Sequence, residues 1–158
     1  MKSYLAADNI WGLLFNLFMI ALIPAVGEEF LFRGILQRIF SEWFRNGHIA
    51  VLFSAVLFSL AHYQFLGFIP RIILGALFGY IFLWTSNIWL PVIAHFVNNA
   101  AGVIYYYLYL QDKLGTDPQQ IGMQKNPILF ILGSVSLTLI GLLVIRQWGK
   151  DSANAHLT

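Results

Sequence analysis

The chain of 158 residues contains no cysteine. This excludes a disulfide framework, a thiolate metal site and lipid attachment to a cysteine of the chain itself. Charged residues are also scarce, at 10% of the sequence, whereas soluble domains carry about a quarter. A net charge of +2 without a basic run offers no surface for nucleic acid. The remainder is 59% hydrophobic with a mean hydropathy of +0.72, which predicts an integral membrane protein.

Long apolar runs predict an all-α fold, a polytopic transmembrane bundle of about five membrane segments plus one interfacial helix. A bilayer core of about 30 Å needs about 20 apolar residues in a helix. The stretch "FRGILQRIFSEWFRNGH" predicts this additional helix, which is interfacial or partly buried. The predicted segments are Ile10–Gly27, Ile49–Ala61 with a continuation through "FLGFI", Ile69–Trp84, Ile88–Leu110 and Ile128–Ile145.

No internal repeat, low-complexity tract or linker divides the sequence, so residues 1–158 are expected to form a single membrane-embedded domain. The start "MKSYLAADN" leads into an apolar run ending in "GEE", which is not the pattern of a cleavable signal. We expect a multi-pass protein of the cell membrane. Gly75 and Gly79 form a GxxxG pair, which indicates either close helix contact or a chance spacing in a membrane helix.

The stretch "PAVGEEFLFRGILQ" places two carboxylates and a guanidinium at the end of the first apolar run. Glu29 and Arg33 are i,i+4 neighbours on a helix and are well placed to pair. Such a pair leaves Glu28, which points about 100° away, without a local partner. Ionisable groups at membrane depth are costly and therefore indicate a functional site, although an interfacial anchor is the simpler alternative.

Two further polar groups interrupt the apolar sequence. His62 lies in "LFSLAHYQF", and His95 shares a helix face with Asn99 in "LPVIAHFVNNAAG". Alone, each has a structural explanation, as an interfacial histidine or as an interhelical hydrogen bond. Because such explanations would have to hold for all the groups together, a shared site is the better interpretation.

A carboxylate with two imidazoles favours hydrolysis, since no "GxSxG" or phosphate-binding loop is present. In one scheme Glu28 is the general base, His62 helps to hold the water, and His95 with Asn99 stabilises the oxyanion. In the other scheme His62, His95 and Glu28 bind zinc. Outside hydrolysis, the same residues fit a proton or ion relay, or a non-catalytic immunity or partner protein.

Taken in order, "EEFLFRG", "FSLAH" and "HFVNN" resemble the EExxxR, FxxxH and HxxxN motifs of the CPBP family of intramembrane proteases. This family, also called Abi, includes type II CAAX prenyl proteases (Rce1-like) and bacteriocin-processing or self-immunity proteins. The similarity covers residues 28–99, a little under half of the chain. It implies an endopeptidase in the lipid bilayer that cleaves a membrane-associated, CAAX-like or bacteriocin-type substrate.

The resemblance also implies residue roles. Glu28 and His62 would activate the water, and His95 and Asn99 would stabilise the oxyanion. Supporting positions are Arg33 beside the glutamate pair, Glu29 as the second motif glutamate without a defined role, and Phe58 packed beside the site.

The family is described both as metal-dependent and as glutamate-dependent. We favour a reaction without a cofactor, because asparagine is a poor zinc ligand and no third motif histidine is present, with zinc as the alternative. Family members commonly carry more helices before the first motif, whereas this sequence shows one. The chain is therefore a minimal member, a truncated product, or one that completes its fold as an oligomer.

Overall fold

The structure, a computed structural model, describes residues 9–63, 65–114, 138 and 140–149. All regular secondary structure within these residues is helical, which confirms the all-α prediction. The helices are α1 (Ile10–Phe44), α2 (Gly47–Leu60), α3 (Phe68–Thr85), α4 (Trp89–Leu110) and α5 (residues 140–149), with a 3₁₀ turn at Phe65–Gly67 between α2 and α3.

Helix α1 runs without a break through the region where the sequence predicts two separate elements. It alternates α-helical turns with π-helical turns at Leu17–Leu22 and Phe30–Leu36. The wide turn before Pro24 provides the local adjustment by which a membrane helix accommodates proline. The helix therefore continues past the predicted boundary at Gly27. The stretch predicted as a separate interfacial or partly buried helix is its C-terminal part, with Arg33 and Gln37 buried and Arg38 and Glu42 exposed.

Helix α1 ends in a sharp turn that starts α2 at once. Arg45 adopts the left-handed conformation, with φ of 51°, as the C-cap of α1. The next residue, Asn46, caps the N-terminus of α2, because its side-chain oxygen accepts hydrogen bonds from the backbone N–H groups of His48 and Ile49.

Helices α2 and α3 form an antiparallel hairpin. A Cβ atom at Gly75 would lie 3.2 Å from Ala55 Cα, and one at Gly79 would lie 2.9 Å from Val51 Cγ1. Residues later in α3 therefore contact residues earlier in α2, as antiparallel packing requires. The two glycines make the close helix contact that the GxxxG spacing permits.

The continuation of the second segment through "FLGFI" is wrong, because the chain reverses direction there. Tyr63 has a φ of 51°, which is a left-handed turn conformation. The Ser59 hydroxyl then donates a hydrogen bond of 2.8 Å to the carbonyl oxygen of Phe68, which ties the end of α2 to the start of α3. Phe68 and Ile69 thus begin α3 and do not extend α2.

Replacing Gly75 by leucine is expected to destabilise this hairpin by about 1–3 kcal/mol, since overpacking a fitted interface costs that much. The nearest atom to the new Cβ is backbone, at Ala55, so the helices would have to separate. Thermal unfolding in detergent micelles would measure the loss. Gly34→Leu is the matched control, because nothing lies within 4 Å of a Cβ at Gly34; equal losses in both variants would contradict the prediction.

Among the described residues, α1 and α3 are long and apolar enough to cross a membrane by length and composition, and α2 is a shorter apolar helix. The count of about five segments is therefore not confirmed. The predicted segment Ile128–Ile145 lies outside the described residues except for residues 138 and 140–145, which are helical. The single domain over residues 1–158 stays a prediction.

Candidate active site

Three of the residues singled out in the sequence meet at one point in the bundle. Glu28 comes from α1, His62 follows the end of α2, and His95 lies in α4. The Nε2 atom of His62 and that of His95 each lie 3.8 Å from Oε2 of Glu28. The Glu28 side chain is 30% exposed and the His95 side chain 4% exposed, so the carboxylate stands at the edge of the protein interior.

The other ring nitrogen of each histidine is engaged by a fixed acceptor. Nδ1 of His62 lies 2.8 Å from the carbonyl oxygen of Phe58, and Nδ1 of His95 lies 2.8 Å from Oε1 of Glu29. A carbonyl and a carboxylate only accept hydrogen bonds, so Nδ1 carries the proton in both rings. Both Nε2 atoms are therefore the ones turned towards Glu28.

Behind His95 lies a buried ion pair. Arg33 and Glu29 are both fully buried, and Nη1 of Arg33 donates a 2.9 Å hydrogen bond to Oε1 of Glu29. The predicted i,i+4 pairing is thus present. The same carboxylate oxygen also accepts from His95, and Nη2 of Arg33 donates to the carbonyl oxygen of Gly75 at 2.9 Å. One arginine and one glutamate therefore connect α1, α3 and α4.

Sequence reasoning left Glu29 without a role and missed the carbonyl oxygens of α3. Gln37, one turn after Arg33, donates to the carbonyl oxygen of Gly79 at 3.0 Å, as Arg33 does to that of Gly75. Part of this contact between α1 and α3 could have been predicted from the sequence. Arg33 and Gln37 have the same i,i+4 spacing as Gly75 and Gly79, so two polar side chains on one helix can face two exposed carbonyls on the other.

Phenylalanine rings enclose the charged pair. The guanidinium carbon of Arg33 lies 4.8 Å from the ring centroid of Phe58 and 5.6 Å from that of Phe78, within the range of cation–π attraction. The His95 ring stacks on Phe78 with centroids 5.0 Å apart. The ring of Phe58 also lies 4.9 Å from that of His62, so this motif residue packs beside the site as predicted.

A cavity of about 570 Å³ opens next to these groups. Glu28, His62, His95 and Asn99 all line it, so the structure brings the four predicted site residues to one space. The side-chain nitrogen of Asn98 lies 3.3 Å from the side-chain oxygen of Asn99 and donates to it. This contact occupies the Asn99 oxygen. The NH₂ group of Asn99 is therefore the part of the amide that can donate a hydrogen bond into the cavity.

The alternative scheme would hold zinc through His62, His95 and Glu28. The described residues include no group of three His, Cys, Asp or Glu side chains arranged to hold a metal ion. The preference for a reaction without a cofactor stays a prediction.

Comparison with known proteins places this arrangement in context. The family model described as "Type II CAAX prenyl endopeptidase Rce1-like" matches residues 10–101, more than half of the chain. The uncharacterized protein YpbD of Bacillus subtilis is 30% identical over 89 residues, which cover 54% of this chain and 42% of YpbD. The membrane-embedded CAAX protease MroQ of Staphylococcus aureus is 33% identical over 101 residues, which cover 58% of this chain and 39% of MroQ.

The chain thus matches about two-fifths of the length of these curated relatives. No solved structure matches it significantly.

Proposed function

Because the chain belongs to the Rce1-like family of type II CAAX prenyl endopeptidases, we propose that it is an intramembrane endopeptidase that hydrolyses a peptide bond of a membrane-associated peptide or protein. The observation that carries the proposal is the position of Glu28, 3.8 Å from two imidazole nitrogens at the wall of a cavity. A carboxylate within reach of a bound water can act as its general base, and a neighbouring imidazole can hold that water in place.

In the proposed reaction, water binds between Glu28 and His62. Glu28 accepts one proton of the water, and Nε2 of His62 accepts a hydrogen bond from the other, because Nδ1 of that ring already donates to Phe58. The water oxygen forms a bond to the carbonyl carbon of the substrate. When the C–N bond breaks, Glu28 returns its proton to the leaving amine nitrogen, which balances the proton transfers.

The oxyanion of the tetrahedral intermediate accepts hydrogen bonds from Asn99 and His95. Asn99 offers its NH₂ group, since Asn98 engages its oxygen. His95 donates from Nε2 when the ring is doubly protonated. Donors fixed in advance on a developing oxyanion contribute about 3–4 kcal/mol each to catalysis.

The supporting network gives Glu29 and Arg33 a positioning role in this scheme. Glu29 accepts the hydrogen bond from Nδ1 of His95 and so orients the ring. Arg33 supplies the positive charge that compensates the buried carboxylate of Glu29. The substrate is proposed to be CAAX-like and prenylated, or of the bacteriocin type, in the cell membrane. The name of the staphylococcal relative, a membrane-embedded CAAX protease, supports the first of these.

The test is cleavage by the purified chain reconstituted in liposomes. Peptides anchored in the membrane by a prenyl or acyl chain would be added, and new termini would be identified by mass spectrometry. We expect products with the wild type and none with Glu28→Gln. Wild-type activity that persists in a strong chelator supports the metal-free scheme, and activity lost there and restored by zinc contradicts it. Proton flux without any proteolysis would overturn the proposed function.

A further inference from the structure

The cavity extends well beyond the groups that perform the chemistry. Helices α1 and α4 are antiparallel, since Phe30 contacts Trp89 with ring centroids 5.8 Å apart, and Glu28 lies opposite His95 further along. From that point the cavity continues between the two helices to Ile20 on α1 and Tyr106 on α4. It is therefore a cleft lying lengthwise between two helices, with the catalytic groups at one end.

Each wall of the cleft is one face of a helix. On α4 the lining residues recur at helical spacing, at His95, Asn99, Gly102 and Tyr106, with Asn98 and Val103 beside them. The α1 wall has the matching stripe of Ile20, Pro24 and Glu28. The polar side chains are concentrated at the catalytic end, and the far half is apolar apart from the Tyr106 hydroxyl.

One lining residue of the cleft, Gly102, has no side chain. This residue is exposed, and nothing lies within 4 Å of the position where a Cβ would be. Helix packing therefore does not require a glycine at position 102, whereas it does at Gly75, which lies against α2. The space in front of Gly102 belongs to the cleft.

We infer that the cleft binds the substrate as an extended peptide along α4, and that Gly102 determines which side chain is accepted at the third residue from the scissile bond. Gly102 lies two turns beyond His95, about 10 Å along the helix. An extended peptide advances about 3.3 Å per residue, so about three residues cover that distance. The amide of Asn98 lines this path as well, where its oxygen can accept a hydrogen bond from the peptide backbone.

This inference rests on the proposed function and identifies the substrate residue that the cleft recognises. A bulky apolar side chain at the third residue would fill the space over Gly102, in the cavity that Ile20 and Val103 also line. Side chains of an extended peptide alternate in direction. The side chain of the second residue would therefore point away from Gly102 and contribute little to specificity.

Cross-linking tests the placement without requiring cleavage. The chain has no cysteine, so Gly102→Cys in the Glu28→Gln background introduces a single thiol. Peptides carrying a thiol-reactive group at each successive residue would be offered in liposomes. We expect the strongest cross-link at the third residue from the scissile bond. Gly141→Cys, whose Cβ would also meet nothing within 4 Å, is the control outside the cleft. Equal cross-linking at both cysteines, or no preference among peptide positions, overturns the inference.

Cleavage by Gly102→Leu tests the specificity. We expect kcat/KM for peptides with a bulky third residue to fall about 10- to 100-fold, with peptides carrying glycine there changed little. A uniform loss for all peptides, or no change, overturns the inference while leaving the protease itself established. If the wild type cleaves none of the peptides, the proposed function fails, and the cross-linking pattern alone decides whether the cleft binds a peptide.

Discussion

Glu28→Gln is expected to lower the rate of peptide hydrolysis by about 10²–10⁴-fold, the usual contribution of a general base. Glutamine has nearly the same shape as glutamate but cannot take a proton from water. The fold should tolerate the change, because Glu28 is partly exposed and its Oε2 atom has no hydrogen-bond partner among the described residues. Turnover of an anchored peptide in liposomes, together with the thermal unfolding midpoint, would measure both quantities.

Glu42→Gln provides the matched control for this variant. Glu42 lies on the same helix and is exposed, so the same change from carboxylate to amide removes the same charge away from the cavity. We expect this variant to retain wild-type turnover. Activity of Glu28→Gln equal to that of Glu42→Gln would remove Glu28 from the mechanism.

The convergence of the polar residues followed from the sequence. Glu28, His62 and His95 interrupt apolar segments, and such groups at membrane depth must find each other or water, because lipid offers no partner. Local spacing was also sufficient for the pair Glu29 and Arg33, which are one helical turn apart.

The contact between Glu29 and His95 could not be predicted in the same way. These residues are 66 positions apart, and the contact depends on α1 and α4 packing antiparallel with one particular rotation of each helix. No spacing rule within either segment specifies that rotation. The hydrogen bonds from Arg33 and Gln37 to α3 depend on tertiary packing for the same reason.

The continuation of α1 past Gly27 was not predicted either. The apolar run ends where the glutamates begin, so the first segment was predicted to end at Gly27. The structure instead buries Glu29 and Arg33 completely and continues the helix to Phe44. Sequence patterns do not distinguish a charge that leaves the membrane from one that is paired within the bundle.

Arg33→Met is expected to lower the free energy of unfolding by about 3–5 kcal/mol, the cost of leaving a buried charge without its partner. Methionine removes the guanidinium that bonds both Glu29 and the Gly75 carbonyl, while keeping an apolar chain against Phe58. Chemical or thermal unfolding in micelles would measure the loss. The exposed Arg38 lies on the same helix, and Arg38→Met should change stability far less.

The double variant Glu29→Gln/Arg33→Met separates the two origins of this effect. If the loss comes from an uncompensated carboxylate, neutralising Glu29 removes the cause, and the double variant should be more stable than Arg33→Met alone. The glutamine oxygen can still accept the hydrogen bond from His95, so the ring stays in place. Stability losses that simply add would show that Arg33 acts mainly through the Gly75 carbonyl and its phenylalanine neighbours. The two variants therefore decide whether the ion pair stabilises the bundle by its charge or by its packing.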